Sequence, residues 1–200
     1  FRISEKRVYT IPNWYVSNIV QNDKYDINSK KIISVGRIEK VKGYNYLIEV
    51  AKSLYLKFPD WKWDVYGEGS LYRDLQKKIE INNLNNFIEL KGNVAGLKSL
   101  YKDYSIYVMT SLYEGLPMSL LEAQTAGLPI VSFDCPTGPA EIIEDGINGI
   151  IVKAYDIEEM IRSLEVLMKD ADLRNRFSAK SKINLNRFKK KSITENGVKL

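Results

Sequence analysis

The sequence predicts an α/β domain built on a Rossmann-like, doubly wound parallel sheet. Short apolar runs rich in β-branched residues recur along the 200 residues, and stretches with helical periodicity lie between them. Strands that alternate with helices form right-handed βαβ units, which give a parallel sheet with helices on both faces. In such a sheet, ligands bind beyond the carboxyl ends of the strands.

Six strands and three amphipathic helices are predicted from these patterns. The strands cover residues 32–35, 63–66, 87–90, 106–109, 129–133 and 149–152. Each helix has one apolar face. The first face comprises Leu47, Val50, Ala51, Leu54 and Phe58, the second Leu71, Leu75 and Ile79, and the third Ile157, Met160, Ile161, Leu164 and Met168.

The composition excludes several functional classes. The 200 residues contain no histidine and a single cysteine, Cys135. They therefore hold no Ser-His-Asp or Cys-His catalytic group and no internal disulfide, and a zinc site is not expected. No apolar run approaches the roughly 20 residues that cross a bilayer. The lone cysteine favours a reducing, cytoplasmic location.

Three regions are predicted along the chain. Residues 1–30 are expected to be a linker, in which Asn22, Asp23, Asp26 and Asn28 indicate an exposed loop, residues 31–188 the folded domain, and residues 189–200 a basic tail. Residues 174–200 carry nine basic side chains and one acid, a net charge of +8. That charge suits a solvated helix face, which is favoured, or an anionic membrane surface. No aromatic platform accompanies it, which argues against nucleic acid as a partner.

The loop after the first predicted strand carries two cations. Gly36 permits a tight turn there, and Arg37 and Lys42 follow it. At the N-terminus of a helix, free N–H groups and the helix dipole add to such charges and form an anion site that a diphosphate would fit. The alternative is that both side chains are solvated residues of an ordinary loop, and composition alone favours that alternative.

Two glycines follow the second predicted strand. Gly67 and Gly69 would let the backbone approach a ligand, with Ser70 as the N-cap of the next helix. A dinucleotide fingerprint, G-x-G-x-x-G, would need glycine at position 72, which is Tyr72. An ordinary tight turn explains the two glycines equally well.

A pair of glutamates follows the fourth predicted strand. Glu114 lies just past that strand, and Glu122, after seven intervening residues, is expected in the first turn of the next helix. Both would face the crevice at the strand ends, where a carboxylate could hold the hydroxyls of a sugar nucleotide. Ser119 and Glu122 also fit a capping box, which would give Glu122 a purely structural role. Both interpretations stay open on the sequence alone.

A fourth segment, residues 134–152, contains several turn-forming residues and Glu141. Together the four segments resemble the C-terminal domain of glycosyltransferase family 4, a large retaining family with the GT-B fold. The motifs are GRIEKVKG, YGEG, EGLPMSLLE followed by AQTAGLPIV, and GPAEIIEDGINGIIV, and the resemblance covers roughly residues 8–188. Many members have Gly-Phe-Gly after the first glutamate. This chain has Gly115, Leu116 and Pro117, and proline offers no N–H to a phosphate.

The resemblance implies a role for each motif residue. Arg37 and Lys42 would hold the donor diphosphate, and Glu114 would lie by the donor sugar; these three would be the catalytic residues. Glu122 would bind the ribose hydroxyls, and Asn93 would lie near the base. The donor-binding residues implied in this way are Gly36, Arg37, Lys42, Gly67, Gly69, Asn93, Glu114, Gly115, Leu116, Met118, Ser119 and Glu122.

The function implied is transfer of a hexose or N-acetylhexosamine, with retention, from a UDP-sugar to a glycan or lipid-linked acceptor in polysaccharide biosynthesis. GDP-mannose is the second choice of donor. Neither cofactor nor metal is expected, because the cations would meet the diphosphate charge. The acceptor-binding N-terminal domain is expected outside these residues, so the fragment would fold alone but would not transfer sugar. The protein is expected in the cytoplasm, or bound peripherally at the inner face of the cell membrane.

Two alternatives share the fold. A non-catalytic sugar-nucleotide-binding module would keep Arg37, Lys42 and Glu122 but would lack the partner domain. A sugar-nucleotide 2-epimerase would need ionisable groups that abstract a proton at carbon 2. The absence of histidine and the spacing of the two glutamates argue against the epimerase.

Overall fold

The computed structural model describes residues 26–183 and 185–188, without the side chains of residues 186 and 187. Asn22, Asp23 and the predicted basic tail, residues 189–200, lie outside the described residues. Within the described part of the chain, no helix is long and apolar enough to span a membrane.

The sheet has the predicted strands in a doubly wound order. The six strands pair in parallel in the order β3-β2-β1-β4-β5-β6. Their bounds are β1 Lys31–Val35, β2 Lys62–Tyr66, β3 Ile88–Gly92, β4 Ile106–Met109, β5 Ile130–Asp134 and β6 Gly149–Lys153. The prediction of a Rossmann-like parallel sheet is confirmed, and each strand lies within two residues of its predicted ends.

Helices cover both faces of the sheet. They are α1 Tyr44–Lys57, α2 Tyr72–Ile81, α3 Met118–Thr125, α4 Pro139–Ile142, α5 Ile157–Lys169 and α6 Ala171–Lys180. The apolar faces of α1, α2 and α5 pack with Phe177 of α6 on one side of the sheet. The other side is covered by α3 and α4 together with Leu185 and Phe188. Burial of side chains on both faces explains why the strands are continuous apolar runs rather than alternating ones.

The crossover from β3 to β4 contains short 3-10 turns instead of an α-helix. These turns are Leu97–Ser99 and Tyr101–Asp103. Tyr101 and Tyr104 are buried against the sheet in the place that a helix would fill. The compact crossover brings its 3-10 turns close to α3, since the Tyr101 hydroxyl lies 3.4 Å from the carbonyl oxygen of Ser119.

One residue of the basic segment has a structural role. Arg174 is only 5% exposed, so its predicted place on a solvated helix face is wrong. Its guanidinium donates to the carbonyls of Leu167, Met168 and Ile27 and lies 5.5 Å from the centroid of the Trp61 ring. Arg174 therefore ties the start of the described chain to the C-terminal helices.

Candidate functional site

The carboxyl edge of the sheet changes direction between β1 and β4. The chain runs outward from β1 through β2 to β3, then returns to β4 and continues outward to β6. The loops that follow β1 and β4 therefore diverge and leave a crevice between them, which is where open α/β sheets bind ligands. The predicted residues Arg37, Lys42 and Glu114 all belong to these two loops.

Lys42 and Glu114 meet across this crevice. The ammonium Nζ of Lys42 lies 2.5 Å from Oε1 of Glu114, and the two side chains are 20% and 10% exposed. A charged pair with so little water around it interacts more strongly than a pair on the surface. Arg37, in contrast, is exposed on the same loop, so its guanidinium is accessible to an incoming anion.

Backbone geometry fixes Lys42 at this position. Lys42 ends a 3-10 turn, Lys40–Lys42, and Gly43 follows with a φ of 65°. A Cβ on Gly43 would lie 2.1 Å from the carbonyl oxygen of Thr110, so only glycine lets the two loops approach this closely. The hydroxyl of Thr110 donates to the Lys42 carbonyl at 3.1 Å. The sequence analysis assigned the tight turn to Gly36, but the left-handed residue is Gly43.

The Glu114 carboxylate changes the ionisation of its neighbours. Burial raises the pKa of the Tyr44 hydroxyl, and the negative charge of Glu114 raises it further. Burial likewise raises the pKa of the Cys135 thiol to about 11, with Glu114 again the next cause. Tyr44 donates to the Gly36 carbonyl at 2.9 Å. It thereby holds the start of the loop of residues 36–42, which carries Arg37 and Lys42 and is called the cation loop below. Both groups stay protonated beside the carboxylate, so Lys42 is its charged partner.

The two predicted glycines of the second loop contact the first loop. A Cβ on Gly67 would lie 2.0 Å from the Gly36 carbonyl oxygen, and one on Gly69 would lie 2.4 Å from that of Ile38. These glycines therefore permit close contact between two loops, and their predicted contact with a ligand stays a prediction. The loops are thereby held at a fixed separation at the site.

Glu39 joins the same two loops through its side chain. Its carboxylate accepts the backbone N–H of Ser70 at 2.9 Å and the Ser70 hydroxyl at 2.7 Å. These hydrogen bonds lower the pKa of Glu39. The prediction of Ser70 as an N-cap is wrong, because α2 begins at Tyr72 with Leu71 as its N-cap. Nothing in the local sequence distinguishes Glu39 from an ordinary solvated acid.

A pocket of about 370 Å³ opens at the carboxyl ends of β1, β2 and β3. Its wall includes Gly36, Arg37 and Gly67 from the first two loops and Asn93 and Val94 from the third. The structure therefore brings Asn93, which was predicted to lie near a base, into the same cavity as the cation loop. Its volume lies within the range of small-molecule binding sites, roughly 300–1,000 Å³.

Glu122 lies on α3, beside the 3-10 turns of the crossover. Its Oε1 lies 3.3 Å from the ammonium of Lys98, and its Oε2 lies 3.5 Å from the Tyr101 hydroxyl. The capping-box alternative is wrong, because Pro117 is the N-cap of α3 and no side chain caps the helix there. Ser119 lies inside the helix, where its hydroxyl accepts from Tyr107 at 2.8 Å. Glu122 is thus in the second turn and is free of a capping role.

The segment between the two glutamates rests on the loop after β5. The Thr137 hydroxyl donates to the Glu114 carbonyl, and a Cβ on Gly138 would lie 2.7 Å from the Gly115 carbonyl oxygen. Gly115 itself is open, since a Cβ there would meet nothing within 4 Å. The side chains of Leu116 and Met118 are partly buried and pack against the core. Thr137 and Gly138 belong to the fourth segment, residues 134–152, for which turn-forming residues were predicted.

The site as described contains cations, carboxylates and backbone amides. Among the residues that the structure describes, no group of three or more side chains of the metal-binding types comes together. Pro117, the N-cap of α3, makes no side-chain hydrogen bond to the first N–H groups of the helix, and such groups attract an anion. Together with the cations, they offer positive potential for an anion.

Comparison with known proteins identifies the family. The family model described as Glycosyl transferases group 1 matches residues 18–183. This chain belongs to that family. The match begins within the predicted linker, residues 1–30, and ends close to the predicted boundary at residue 188. The narrower assignment to family 4 stays a prediction from the motifs.

Two curated relatives show how much of a longer protein the chain matches. An uncharacterized glycosyltransferase of Haemophilus influenzae is 34% identical over 166 residues, 82% of this chain and 46% of the relative. A poly(ribitol-phosphate) alpha-N-acetylglucosaminyltransferase of Staphylococcus aureus is 30% identical over 197 residues, 98% of this chain and 39% of the relative. The chain therefore spans less than half the length of these relatives.

Solved structures share the fold. A mutant of S. aureus TarM in complex with fondaparinux, alpha-GlcNAc-glycerol and UDP superposes with a TM-score of 0.91 at 29% identity, covering 99% of this chain and 40% of TarM. The pneumococcal O-GlcNAc transferase GtfA in complex with UDP and GlcNAc gives a TM-score of 0.73 at 27% identity, covering 86% of this chain and 36% of GtfA. The fold is thus that of glycosyltransferases with the GT-B architecture.

Proposed function

We propose that this chain is the donor-binding domain of a retaining glycosyltransferase that uses a UDP-sugar. The observation that carries the proposal is the Lys42–Glu114 pair at the point where the sheet changes direction, beside the pocket at the ends of β1, β2 and β3. A nucleotide diphosphate has a base and an anionic group separated by a ribose, and these three parts match the pocket, Glu122 and the cation loop.

The chemical task of the site is to stabilise charge on the departing diphosphate. Negative charge builds on that group as the glycosidic bond breaks, and preorganised positive charge lowers the barrier. Lys42, exposed Arg37 and the first N–H groups of α3 supply this charge. In other transferases a divalent metal neutralises this charge. Because the side chains of Lys42 and Arg37 and the helix N–H groups would neutralise it here, we propose that this reaction needs no metal.

The ion pair suggests how donor binding prepares Glu114. When a diphosphate arrives, the Lys42 ammonium gains a second and more highly charged acceptor. Glu114 then shares or loses its cation and has lone pairs available for the hydroxyls of the donor sugar. Gly115, with open space above it, leaves room for a sugar next to that carboxylate.

The sugar and the acceptor are proposed from relatives. The names of two relatives specify N-acetylglucosamine transfer, one to poly(ribitol-phosphate) and one, a GtfA subunit of Streptococcus agalactiae that is 34% identical, to peptide. We therefore propose N-acetylglucosamine as the first donor sugar to test, with glucose and GDP-mannose as comparisons. The acceptor, a glycan or a lipid-linked saccharide, would bind largely to residues outside this chain.

Calorimetry with UDP, UDP-N-acetylglucosamine and GDP-mannose in the presence of EDTA tests the proposal. We expect both uridine nucleotides to bind, the chelator to have no effect, and GDP-mannose to bind more weakly. Absence of binding for all three, or binding that requires added magnesium or manganese, would contradict it. The mechanism is tested by following sugar transfer by the full-length protein with NMR. We expect the product to keep the anomeric configuration of the donor.

A further inference from the structure

Glu122 is contacted from two sides by residues of the β3–β4 crossover. The ammonium of Lys98 lies 3.3 Å from Oε1, and the Tyr101 hydroxyl lies 3.5 Å from Oε2. The Glu122 side chain is 19% exposed, whereas that of Lys98 is 48% exposed. Each oxygen of the carboxylate therefore has one partner from the β3–β4 crossover.

Lys98 directly follows a residue of the pocket wall in the sequence. It is the middle residue of the turn Leu97–Ser99, which Gly96 introduces with a φ of 73°. The preceding residue, Leu97, lines the pocket together with Val94. The ion pair between Lys98 and Glu122 thus links the 3-10 turn beside the pocket to α3.

We infer that Lys98 is a positioning residue that orients the Glu122 carboxylate toward the ribose of the nucleotide. A carboxylate has about four acceptor positions on its two oxygens. The ion pair with Lys98 and the contact with Tyr101 take up at most one position on each oxygen, which leaves at least one on each for the two vicinal hydroxyls of a ribose. Fixing the rotamer before binding removes part of the entropy cost of forming those hydrogen bonds. This inference rests on the proposed function, because it presupposes a nucleotide.

A simpler role for Lys98 predicts different behaviour. A cation at the rim of the pocket would attract any anionic nucleotide through its charge alone. That attraction acts on the phosphates, so it would favour a ribonucleotide and its 2′-deoxy analogue equally. Orientation of Glu122 acts only through the hydroxyls and would favour the ribonucleotide. The ratio of the two affinities therefore separates the roles.

The test compares UDP with 2′-deoxy-UDP by calorimetry on the 200-residue chain and three variants. Lys98→Met removes the charge and keeps the stem, Lys98→Arg restores a cation, and Lys77→Met removes an exposed lysine of α2 as the matched control. We expect Lys98→Met to weaken UDP binding by about two- to fivefold, the range of a partly exposed ion pair. Binding of 2′-deoxy-UDP should change less, so the ratio falls. Lys98→Arg and Lys77→Met should keep the wild-type ratio.

A double-mutant cycle makes the assignment specific to Glu122. In a Glu122→Gln background, Lys98→Met should leave the ratio of the two affinities unchanged, because its target carboxylate is gone. An equal loss for both nucleotides, or an unchanged ratio in Lys98→Met, would overturn the inference and leave the proposed function standing. A wild-type chain that binds neither nucleotide would overturn the proposed function itself.

Discussion

The ammonium of Lys42 lies 2.5 Å from a carboxylate oxygen of Glu114, although 71 residues separate them along the chain. Lys42 follows β1 and Glu114 follows β4, and these two strands are neighbours in the sheet. Each side chain is the countercharge of the other. Because of this contact, a change of charge in one loop also affects the other loop. The contact therefore predicts the effects of substitutions at the site.

Replacing Lys42 by methionine should weaken UDP binding by about 10- to 150-fold, the effect of losing one charge-assisted hydrogen bond of ~1.5–3 kcal/mol. Calorimetry in EDTA measures the change. Lys40→Met is the matched control, because Lys40 is an exposed lysine of the same turn and should bind UDP nearly as the wild type does. Equal losses in the two variants would show that the loop acts only through its net charge.

Replacing Glu122 by glutamine should leave the melting temperature almost unchanged, because Glu122 has no capping role and its partner Lys98 is half exposed. UDP binding should fall, since the amide nitrogen is a donor and offers no acceptor to a hydroxyl. The preference for UDP over 2′-deoxy-UDP should shrink as well. If the variant melts earlier yet discriminates between the two nucleotides as before, Glu122 is a structural residue.

Alanine substitutions of two glycines of the site should have different effects, one on stability and the other on ligand binding. Gly43→Ala places a Cβ 2.1 Å from the Thr110 carbonyl oxygen at a residue with positive φ, and it should destabilise the fold by at least ~2 kcal/mol. Gly115→Ala meets nothing within 4 Å and should melt like the wild type while weakening binding of a UDP-sugar more than of UDP. Thermal denaturation and calorimetry check both. A stable Gly43→Ala protein would mean that the loops can separate.

Two arginines of α6 form another contrasting pair. Arg174 is buried and donates to three carbonyls, so Arg174→Ala should cost about 2–4 kcal/mol of unfolding free energy. Arg176 is exposed on the same helix, and Arg176→Ala should lie within about 0.5 kcal/mol of the wild type. Urea denaturation measures both values. Equally small losses of unfolding free energy in the two variants would contradict the buried position of Arg174.

Cys135 should contribute to alkaline sensitivity. Its pKa is raised from 9.0 to about 11, mainly by burial, so the folded state favours the neutral thiol. The unfolded chain loses this proton near pH 9, and the stability that the protonated thiol contributes is complete below that pH and lost between pH 9 and about 11. The melting temperature of Cys135→Ala should therefore fall less steeply over that range than that of the wild type. Parallel curves would contradict this, because the buried tyrosines titrate in both proteins.

The sequence was sufficient to predict the sheet because each strand is an apolar run buried on both faces. The motifs after the strands also predicted Arg37, Lys42, Glu114 and Glu122 as site residues, and their roles in binding stay a prediction. The local pattern could not show which of them touch. The Lys42–Glu114 pair depends on the adjacency of β1 and β4, and contacts of that kind are set by the order of strands rather than by neighbouring residues.

The errors have a common cause. Ser70 precedes α2 and Ser119 precedes Glu122 by three residues, so both fit helix-capping patterns. In the structure Ser70 binds Glu39 instead, and Ser119 binds Tyr107. A hydroxyl that is hydrogen-bonded to a residue distant in the sequence is not available to cap the adjacent helix. The local sequence pattern does not show such a distant hydrogen bond. Arg174 was misplaced for the same reason, since its acceptors include Ile27, 147 residues away.

The strand order also has a consequence for synthesis on the ribosome. Of the described strands, β1 emerges first and then pairs with β2, while its other edge has no partner until β4 has been made. During that interval the nascent chain presents an open edge of the central strand, which is a template for pairing with other chains. A chain truncated within the β3–β4 crossover would keep this edge and would carry Lys42 without Glu114. Such products should aggregate, whereas a second polypeptide beginning in the crossover could supply β4 and reconstitute the split domain.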